Sequence, residues 1–381
     1  MPRVTDDVRW IADDAALATL ITELLDQPTY GLDTEFMAER TYWPRLCLVQ
    51  VAWAGGIALV DPFACDLRAF APVLASPAVM ITHAGGSDLP ILERAVGSRP
   101  AALFDVQVAA GFVGLGQPAL AFLVQHVLGE RLDKGDRLTD WSKRPLADTA
   151  LHYAADDVRY LLALADALRA RLAERGREAW AVDECEELRL ATRGDDPDTS
   201  WWKVKGARSL KDEHAGIAQS VTAWRERRAQ RVDIPARFVL SDLALAAIVS
   251  KPPRNADQVG QLRGANGLKA DVVRELLGAI ESGRALTPEQ IRRPPRNDER
   301  ADREGAVVIL AAWAGTLAAT EQLDPKLLAT RDDVTNLVYG RPSRLDHGWR
   351  ATLAGAPLLR ILQGEVALRI ADGGRRLALE A

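Results

Sequence analysis

Cysteine is scarce in this chain of 381 residues: Cys47, Cys65 and Cys185 are its only three, and they lie far apart. Such scattered thiols make neither a disulfide framework nor a zinc-ligand set, and a reducing cytoplasm suits them best. Nowhere do about 18 apolar residues run without a break, so the sequence offers no membrane span. The opening MPRVTDDVRWIADD has no basic stretch followed by an apolar one and does not read as a secretion signal. An overall excess of positive charge is also missing. The 48 basic and 53 acidic side chains leave a net −5, which taken alone argues against a polyanionic ligand.

The distribution of charge says otherwise. Residues 1–202 carry 19 basic and 31 acidic side chains, net −12; residues 203–300 carry 19 and 12, net +7; residues 301–381 carry 10 of each. An acidic part followed by a basic one indicates a division of labour. With 48% hydrophobic and 27% charged residues the chain is an ordinary globular protein, and its length suits two or three domains.

After a first helix, TYGLDTEF, LCLVQVAW and GIALVDP read as strands with short gaps, the pattern of an antiparallel meander. VMITHA reads as a further strand, and helical periodicity fills SDLPILERAVG, DVQVAAGFVG and PALAFLVQHVLG. GERLDKGDRLTDWSKRPLAD is aperiodic and reads as a loop. A long helix is expected from about Thr149 to Arg175, with Leu151, Val158, Leu161, Leu162, Ala165 and Leu168 on one stripe. TRGDDPDTS marks a linker. Beyond it the chain is helical to its extreme C-terminus, with a second linker at TPEQIRRPPRNDERADRE. These signals give an α/β domain over 1–192, a linker over 193–206, a helical domain over 207–286, a linker over 287–304 and a second helical domain over 305–381.

Within YGLDTEF, Asp33 and Glu35 sit at i and i+2 of a strand and project to one face, while Thr34 and Phe36 point the other way. Two bare carboxylates side by side force one pKa upward unless a cation supplies the opposing charge. Asp88, in THAGGSDLPIL, follows a strand and opens a helix, where an acid also stabilises the helix dipole. In HYAADDVRYL, Tyr153 and Asp157 lie about 40° apart around a helix and share a face. Asp156 is turned about 100° from Asp157, and His152 about 140°, so tyrosine rather than histidine is the favoured partner of Asp157.

GLDTEF, HAGGSDLPIL and HYAADDVRYL, in that order, resemble the three exonuclease motifs of ribonuclease D, within the wider DEDD family of 3′→5′ exonucleases on a ribonuclease H-like fold. LDKGDRLTDWSKRPL resembles the family's segment before the third motif. The stretch from LKDEHAGIAQSVTAWRERRAQ onward resembles the HRDC-type helical domain shared with RecQ-type helicases. The resemblance implies an α/β ribonuclease H-like exonuclease domain, a mixed sheet flanked by helices, followed by two small all-α domains. It implies that Asp33, Glu35, Asp88 and Asp157 hold two divalent cations, Mg²⁺ or Mn²⁺, and that Tyr153 orients the attacking water. It also implies that the substrate is RNA with a single-stranded 3′ end, chiefly precursor tRNA, trimmed to 5′-mononucleotides.

The basic middle region supplies candidate phosphate contacts at Lys203, Lys205, Arg208, Lys211, Arg225, Arg227, Arg228 and Arg231, with Trp201 and Trp202 available for base stacking. Trp224 reads as helix core. Lys134 and Trp141, with Asp140, lie in the loop before the third motif and are candidates for substrate contact. His83, Asp61 and Asp105 are read as structural, and Trp43 and Arg45 as packing residues. The expectation is a monomeric cytoplasmic enzyme with no membrane association and no obligate protein partner. Two alternatives remain, a DNA 3′→5′ exonuclease and a non-catalytic RNA-binding adaptor on the same fold.

Overall fold

A computed structural model describes residues 8–132, 139–191, 196–265, 267–294, 300–374 and 376–380. The chain forms two compact units. One comprises the described parts of Met1–Phe36, Leu46–Ala191 and Arg300–Ala381; the other comprises those of Met37–Arg45 and Thr192–Glu299.

The first unit is built on strands β1 (Val8–Ile11), β2 (Thr29–Met37), β3 (Arg45–Trp53), β4 (Gly56–Val60), β5 (Val79–Thr82) and β6 (Ala102–Asp105). They form one mixed sheet in the order β1-β4-β3-β2-β5-β6. β3 and β4 are antiparallel, as the short gap between them requires, whereas β1 with β4, β2 with β5 and β5 with β6 are parallel. Helix α1 (Asp14–Leu25), capped by the Asp13 side chain on Ala16 N, buries Leu17, Leu20 and Leu24 in a core with Tyr30, Leu32, Val49 and Val51. Helices α2 (Asp88–Val96), α3 (Asp148–Arg159), α4 (Leu161–Glu174) and α5 (Glu178–Leu190) belong to the same unit. Gly31 decides how α4 meets the sheet. A Cβ there would lie 3.3 Å from the Leu161 side chain, so glycine lets the helix settle closely on β2, where a larger residue would press it outward. Gly31, Asp33 and Glu35 alternate onto the same face of β2, and the α3–α4 pair therefore covers the face that bears the two acids.

Several elements differ from the expectation. β1 and β6, of four residues each, are not among the strands expected from the sequence, and both lie at sheet edges. The expected long helix is two, because Tyr160 leaves helical geometry at φ −104°, ψ 0° between α3 and α4. Residues 300–304 belong to helix rather than linker, since a 21-residue helix begins at Arg300. The segment 305–381 is drawn into the first unit. Its buried Arg350 pairs with Glu184 on α5 and donates to Leu327 O at 2.8 Å, Arg177 pairs with Glu321 at 3.0 Å, and Trp349 stacks on Trp180 at 4.9 Å. It ends in an antiparallel hairpin, Ala367–Ala371 with Arg376–Glu380.

The second unit packs helices α6 (Asp212–Val232), α7 (Asp242–Ser250), α8 (Ala256–Gly260) and α9 (Ala270–Arg284). α6 and α9 approach through Gly216 and Gly283, where a Cβ on Gly216 would come 2.4 Å from Gly283 O. Trp201 is fully buried in this core beside Ile217, Val221, Ile248 and Ile280. The segment around it is thus part of the domain rather than a free linker, and its ring cannot stack on a base. Residues 37–45 join this unit: Trp43 N donates to Asp233 Oδ1 at 3.0 Å, and Gln230 Nε2 donates to the Tyr42 hydroxyl at 3.1 Å.

Candidate active site

Four carboxylates and a tyrosine converge over β2. Asp33 is half-buried, and burial first, then the charges of Asp88, Asp157 and Glu35, push its pKa well above the ordinary range. Burial and the charges of Asp157 and Asp88 push Glu35 up to about 8. Asp157 rises to about 7 through burial, opposed by a hydrogen bond from the Tyr153 hydroxyl. Tyr153 is itself raised by burial and by the charges of Asp157 and Glu35. Among the described residues, no basic side chain lowers the pKa of Asp33, Glu35 or Asp157.

Such a set of oxygens fits a hard divalent cation, which would supply the charge that the protein withholds. Among the described residues, no three of these side chains are already gathered into a ready coordination shell. Two of them are held by protein hydroxyls instead: Tyr153 bonds to Asp157, and the buried Thr34 hydroxyl donates to Asp88 Oδ1. The Thr34 bond was missed in the sequence because strand alternation points Thr34 away from its two acidic neighbours.

α3 runs unbroken from Asp148, so Tyr153 and Asp157 occupy one face as their spacing predicts. His152 is exposed and its Nδ1 lies 2.7 Å from the Asp148 carbonyl, turned back on its own helix and away from the acids. Asp156 likewise turns aside, pairing with Arg159 at 2.9 Å.

The loop before α3 reaches the site through a chain of contacts. Arg144 grips Asp61 with two hydrogen bonds of 2.7 and 2.8 Å, and donates to Cys47 O at 2.6 Å and to Trp141 O at 2.9 Å. Trp141 is thereby buried, its ring 6.2 Å from that of Tyr153. The expectation that Trp141 meets substrate is corrected, since it packs behind Tyr153 and limits where that ring can move. Asp140 is engaged locally with Ser142 Oγ at 2.6 Å. Lys134 lies outside the described residues.

Asp88 is positioned by a second network. Fully buried Asp105 accepts from Gly85 N at 2.8 Å, Ala84 N at 3.1 Å, Thr82 Oγ1 at 3.2 Å and Gln107 N at 2.8 Å. These bonds fix the turn His83–Gly86, where Ala84 is held at φ +57°. A side chain on Gly85 would strike Thr82 Oγ1 at 2.4 Å. Asp105, Asp61 and His83, whose Nε2 lies 2.9 Å from Pro118 O, are structural, as read from the sequence.

In the second unit, four of the eight cations expected to meet phosphate, all on α6, are paired. Arg225 binds Asp242 at 2.6 Å, Arg227 binds Asp198 at 2.6 Å, Arg228 binds Glu275 at 2.6 Å and Asp271 at 3.0 Å, and Arg231 binds Glu275 at 3.3 Å. Trp224 is held within the unit, its Nε1 donating to Glu275 at 3.0 Å. Trp202 is part-exposed but donates to Arg292 O at 2.7 Å. Lys203, Lys205, Arg208 and Lys211 are exposed, and Lys203 and Lys205 line a cavity with Arg225, Glu226 and Asp242.

A family model described as 3′-5′ exonuclease matches residues 8–173, and the HRDC domain model matches residues 214–280. The chain is 34% identical over 377 residues to ribonuclease D of Zymomonas mobilis subsp. mobilis, covering 95% of this chain and 96% of that one. It is 36% identical over 371 residues to ribonuclease D of Granulibacter bethesdensis, covering 94% and 93%. The crystal structure of Escherichia coli RNase D, described as an exoribonuclease involved in structured RNA processing, superposes with a TM-score of 0.83 at 28% identity. That match covers 94% of this chain and 99% of that one.

Proposed function

The chain belongs to the ribonuclease D family and is a 3′→5′ exoribonuclease that uses divalent metal, and from that premise we propose that it trims the 3′ ends of precursor tRNA by a two-metal mechanism. In this reading Asp33, Glu35, Asp88 and Asp157 hold two cations, Mg²⁺ or Mn²⁺. The observation that carries it is a set of four buried or half-buried carboxylates, of which Asp33 and Glu35 are raised by burial and by the neighbouring acids and Asp157 by burial, with no basic side chain among the described residues lowering these three. A fold gains nothing from such a set unless something else supplies the positive charge. Bound there, a cation pair supplies a nucleophilic water near neutral pH and stabilises the leaving 3′ oxygen. Tyr153 gives its proton to a hydrogen bond with Asp157, which leaves the phenol oxygen free to accept from the attacking water and hold it in line. Trp141 behind the ring and Arg144 behind Trp141 keep that oxygen in place.

We assign the polymer beyond the 3′ end to the basic second unit. We further propose that the enzyme is monomeric and works in the cytoplasm; no described helix is long and apolar enough to cross a membrane. Matched RNA and DNA substrates with 3′ overhangs, digested across a chelator titration, test the reading. The expected result is release of 5′-mononucleotides from RNA that stops with chelator and returns with Mg²⁺ or Mn²⁺. Preference for DNA, or activity indifferent to chelator, would overturn it.

A further inference from the structure

Pairing decides which cations of the second unit are available to a polyanion. The arginines of α6 are engaged with carboxylates of the same unit, as described above. Lys205 shares its cavity with Glu226 and Asp242, and Lys211 is followed directly by Asp212 and Glu213. A different stretch stands out. Lys251, Arg254 and Arg263 are exposed and, among the described residues, their side chains make no ion pair or hydrogen bond. The stretch from residue 251 to residue 263 carries a single carboxylate, Asp257.

The scaffold under them is rigid. Pro252 and Pro253 fix the backbone between Lys251 and Arg254. Arg254 N donates to Gln258 Oε1 at 2.7 Å, and Gln258 N to Asn255 Oδ1 at 3.0 Å. Lys251, Arg254, Gln258 and Gln261 line one cavity of about 520 Å³. Arg263 directly follows Leu262, which lines the same cavity, and precedes Gly264, which turns at φ +85° and whose carbonyl accepts from Ser241 Oγ at 3.1 Å. Cations on a fixed backbone lose little freedom when a phosphate arrives, and no intramolecular pair has to be broken first.

We infer that the edge formed by Lys251, Arg254 and Arg263, rather than the arginine-rich helix α6, is where the second unit grips the RNA phosphate backbone. This rests on the reading of the second unit as the part that holds the polymer. Phosphate contact by point charges is independent of sequence and releases counterions, so its signature is the salt dependence of binding.

The test compares two triple variants of the full chain, Lys251/Arg254/Arg263→Gln and Arg227/Arg228/Arg231→Gln. Each lowers the net charge from −5 to −8, so the long-range field changes equally and only local contact differs. Binding of a short unstructured fluorescent oligoribonucleotide is followed by anisotropy in chelator, where no turnover occurs. The first variant is expected to lose about 2 from the log–log salt slope. That means roughly 20-fold less change in affinity between 50 and 200 mM salt, at about 0.7 per contact for a single strand. The second is expected to keep the wild-type slope; slope rather than affinity decides, because freed carboxylates at Asp198, Asp271 and Glu275 shift affinity by repulsion. Arg254/Arg263→Lys, which preserves charge, is expected to keep the slope and guards against a folding defect. Equal slope losses, or the larger loss from the α6 variant, would overturn the inference. A wild-type chain that does not bind the oligoribonucleotide would instead overturn the reading beneath it.

Discussion

Glu35 and Glu275 are the same side chain in opposite settings, and the contrast separates the two units. In the first unit burial and like charges push Glu35 up to about 8. In the second, hydrogen bonds from Arg228 and Trp224 hold Glu275 down at about 2. Among the described residues, no cation offsets Asp33, Glu35 or Asp157, whereas the arginines of α6 are compensated locally. A fold that leaves charge unpaired carries a cost with no structural return, which is why such clusters gather at functional sites. A fold that pairs its charges has no such obligation, however basic the sequence looks.

The sharpest way to break that contrast is to remove one acid. Asp33→Asn, Glu35→Gln, Asp88→Asn and Asp157→Asn are each expected to cut turnover by roughly a thousandfold or more, on the scale of losing a central electrostatic element of a site. Asp33→Asn should at the same time raise the melting temperature of the metal-free protein at pH 8 by relieving repulsion. Rates at saturating Mg²⁺ and melting in chelator check both halves. A variant that keeps near-wild-type rate has no part in the site.

Next in size is the buried pair that ties the last helical segment to the first unit. Arg350 is 3% exposed and pairs with Glu184, so Arg350→Ala leaves that part-buried carboxylate with the longer contact to Arg344 at 3.7 Å. A loss of about 3 kcal/mol is expected from breaking a buried pair on one side. Denaturant unfolding measures it; a loss below 1 kcal/mol would mean that the segment is held by its aromatic contacts alone.

Tyr153→Phe follows, with an expected loss of about a hundredfold in kcat and little change in KM, since orienting water matters mainly in the transition state. His152→Ala should leave both almost unchanged, because that ring faces away from the acids. Steady-state kinetics on one RNA substrate ranks the two, and the reverse ranking would put histidine in the role assigned to tyrosine.

These residues also show what a sequence reveals and what it hides. Asp33 with Glu35, and Tyr153 with Asp157, are local pairs, and strand or helix periodicity alone puts each pair on one face. Arg144, by contrast, meets Asp61 across 83 residues from a loop without periodicity, so its hold on Trp141 had no signal in the chain. The partners of α6 are equally remote: Arg228 and Asp271 are 43 residues apart, and a count of basic side chains cannot see the carboxylate that neutralises them. β1 and β6 are short edge strands, each paired on one side only, and the turn at Tyr160 carries no glycine or proline to announce it.

The pH dependence of stability tests the contrast without mutation. A carboxyl whose folded pKa lies above its unfolded value stabilises the fold fully below the unfolded value, and that stability is lost as pH rises through the folded one. For Glu35, raised from 4.5 to about 8, and Asp157, raised from 3.8 to about 7, the loss runs from about pH 4 to pH 8. Glu275 behaves oppositely: its contribution is present above 4.5 and fades only as pH falls towards about 2. Melting in chelator should therefore fall by several degrees between pH 5 and pH 8, and Mg²⁺ should restore it most at the upper end, where protons no longer compete. A melting temperature that stays flat, with or without Mg²⁺, would remove the acids' mutual repulsion from the account.

The smallest effect is expected from the paired arginines. Arg227 is more than half exposed and meets Asp198 at 2.6 Å, a geometry in which solvent screens most of the attraction. Exposed pairs of this kind contribute from nothing to about 1 kcal/mol. Arg227→Gln should therefore change stability by less than about 1 kcal/mol. If Asp198 already neutralises this cation, the same change should leave the salt slope of RNA binding where it was. The double variant Arg227→Gln/Asp198→Asn sharpens the point, since it removes the pair without changing net charge and should match the wild type in both measurements. A single variant that lost about 0.7 from the slope would show that RNA draws Arg227 out of its pair. The pairing seen here would then be a resting arrangement, and the charge compensation that distinguishes the second unit from the first would hold only until the polymer arrives.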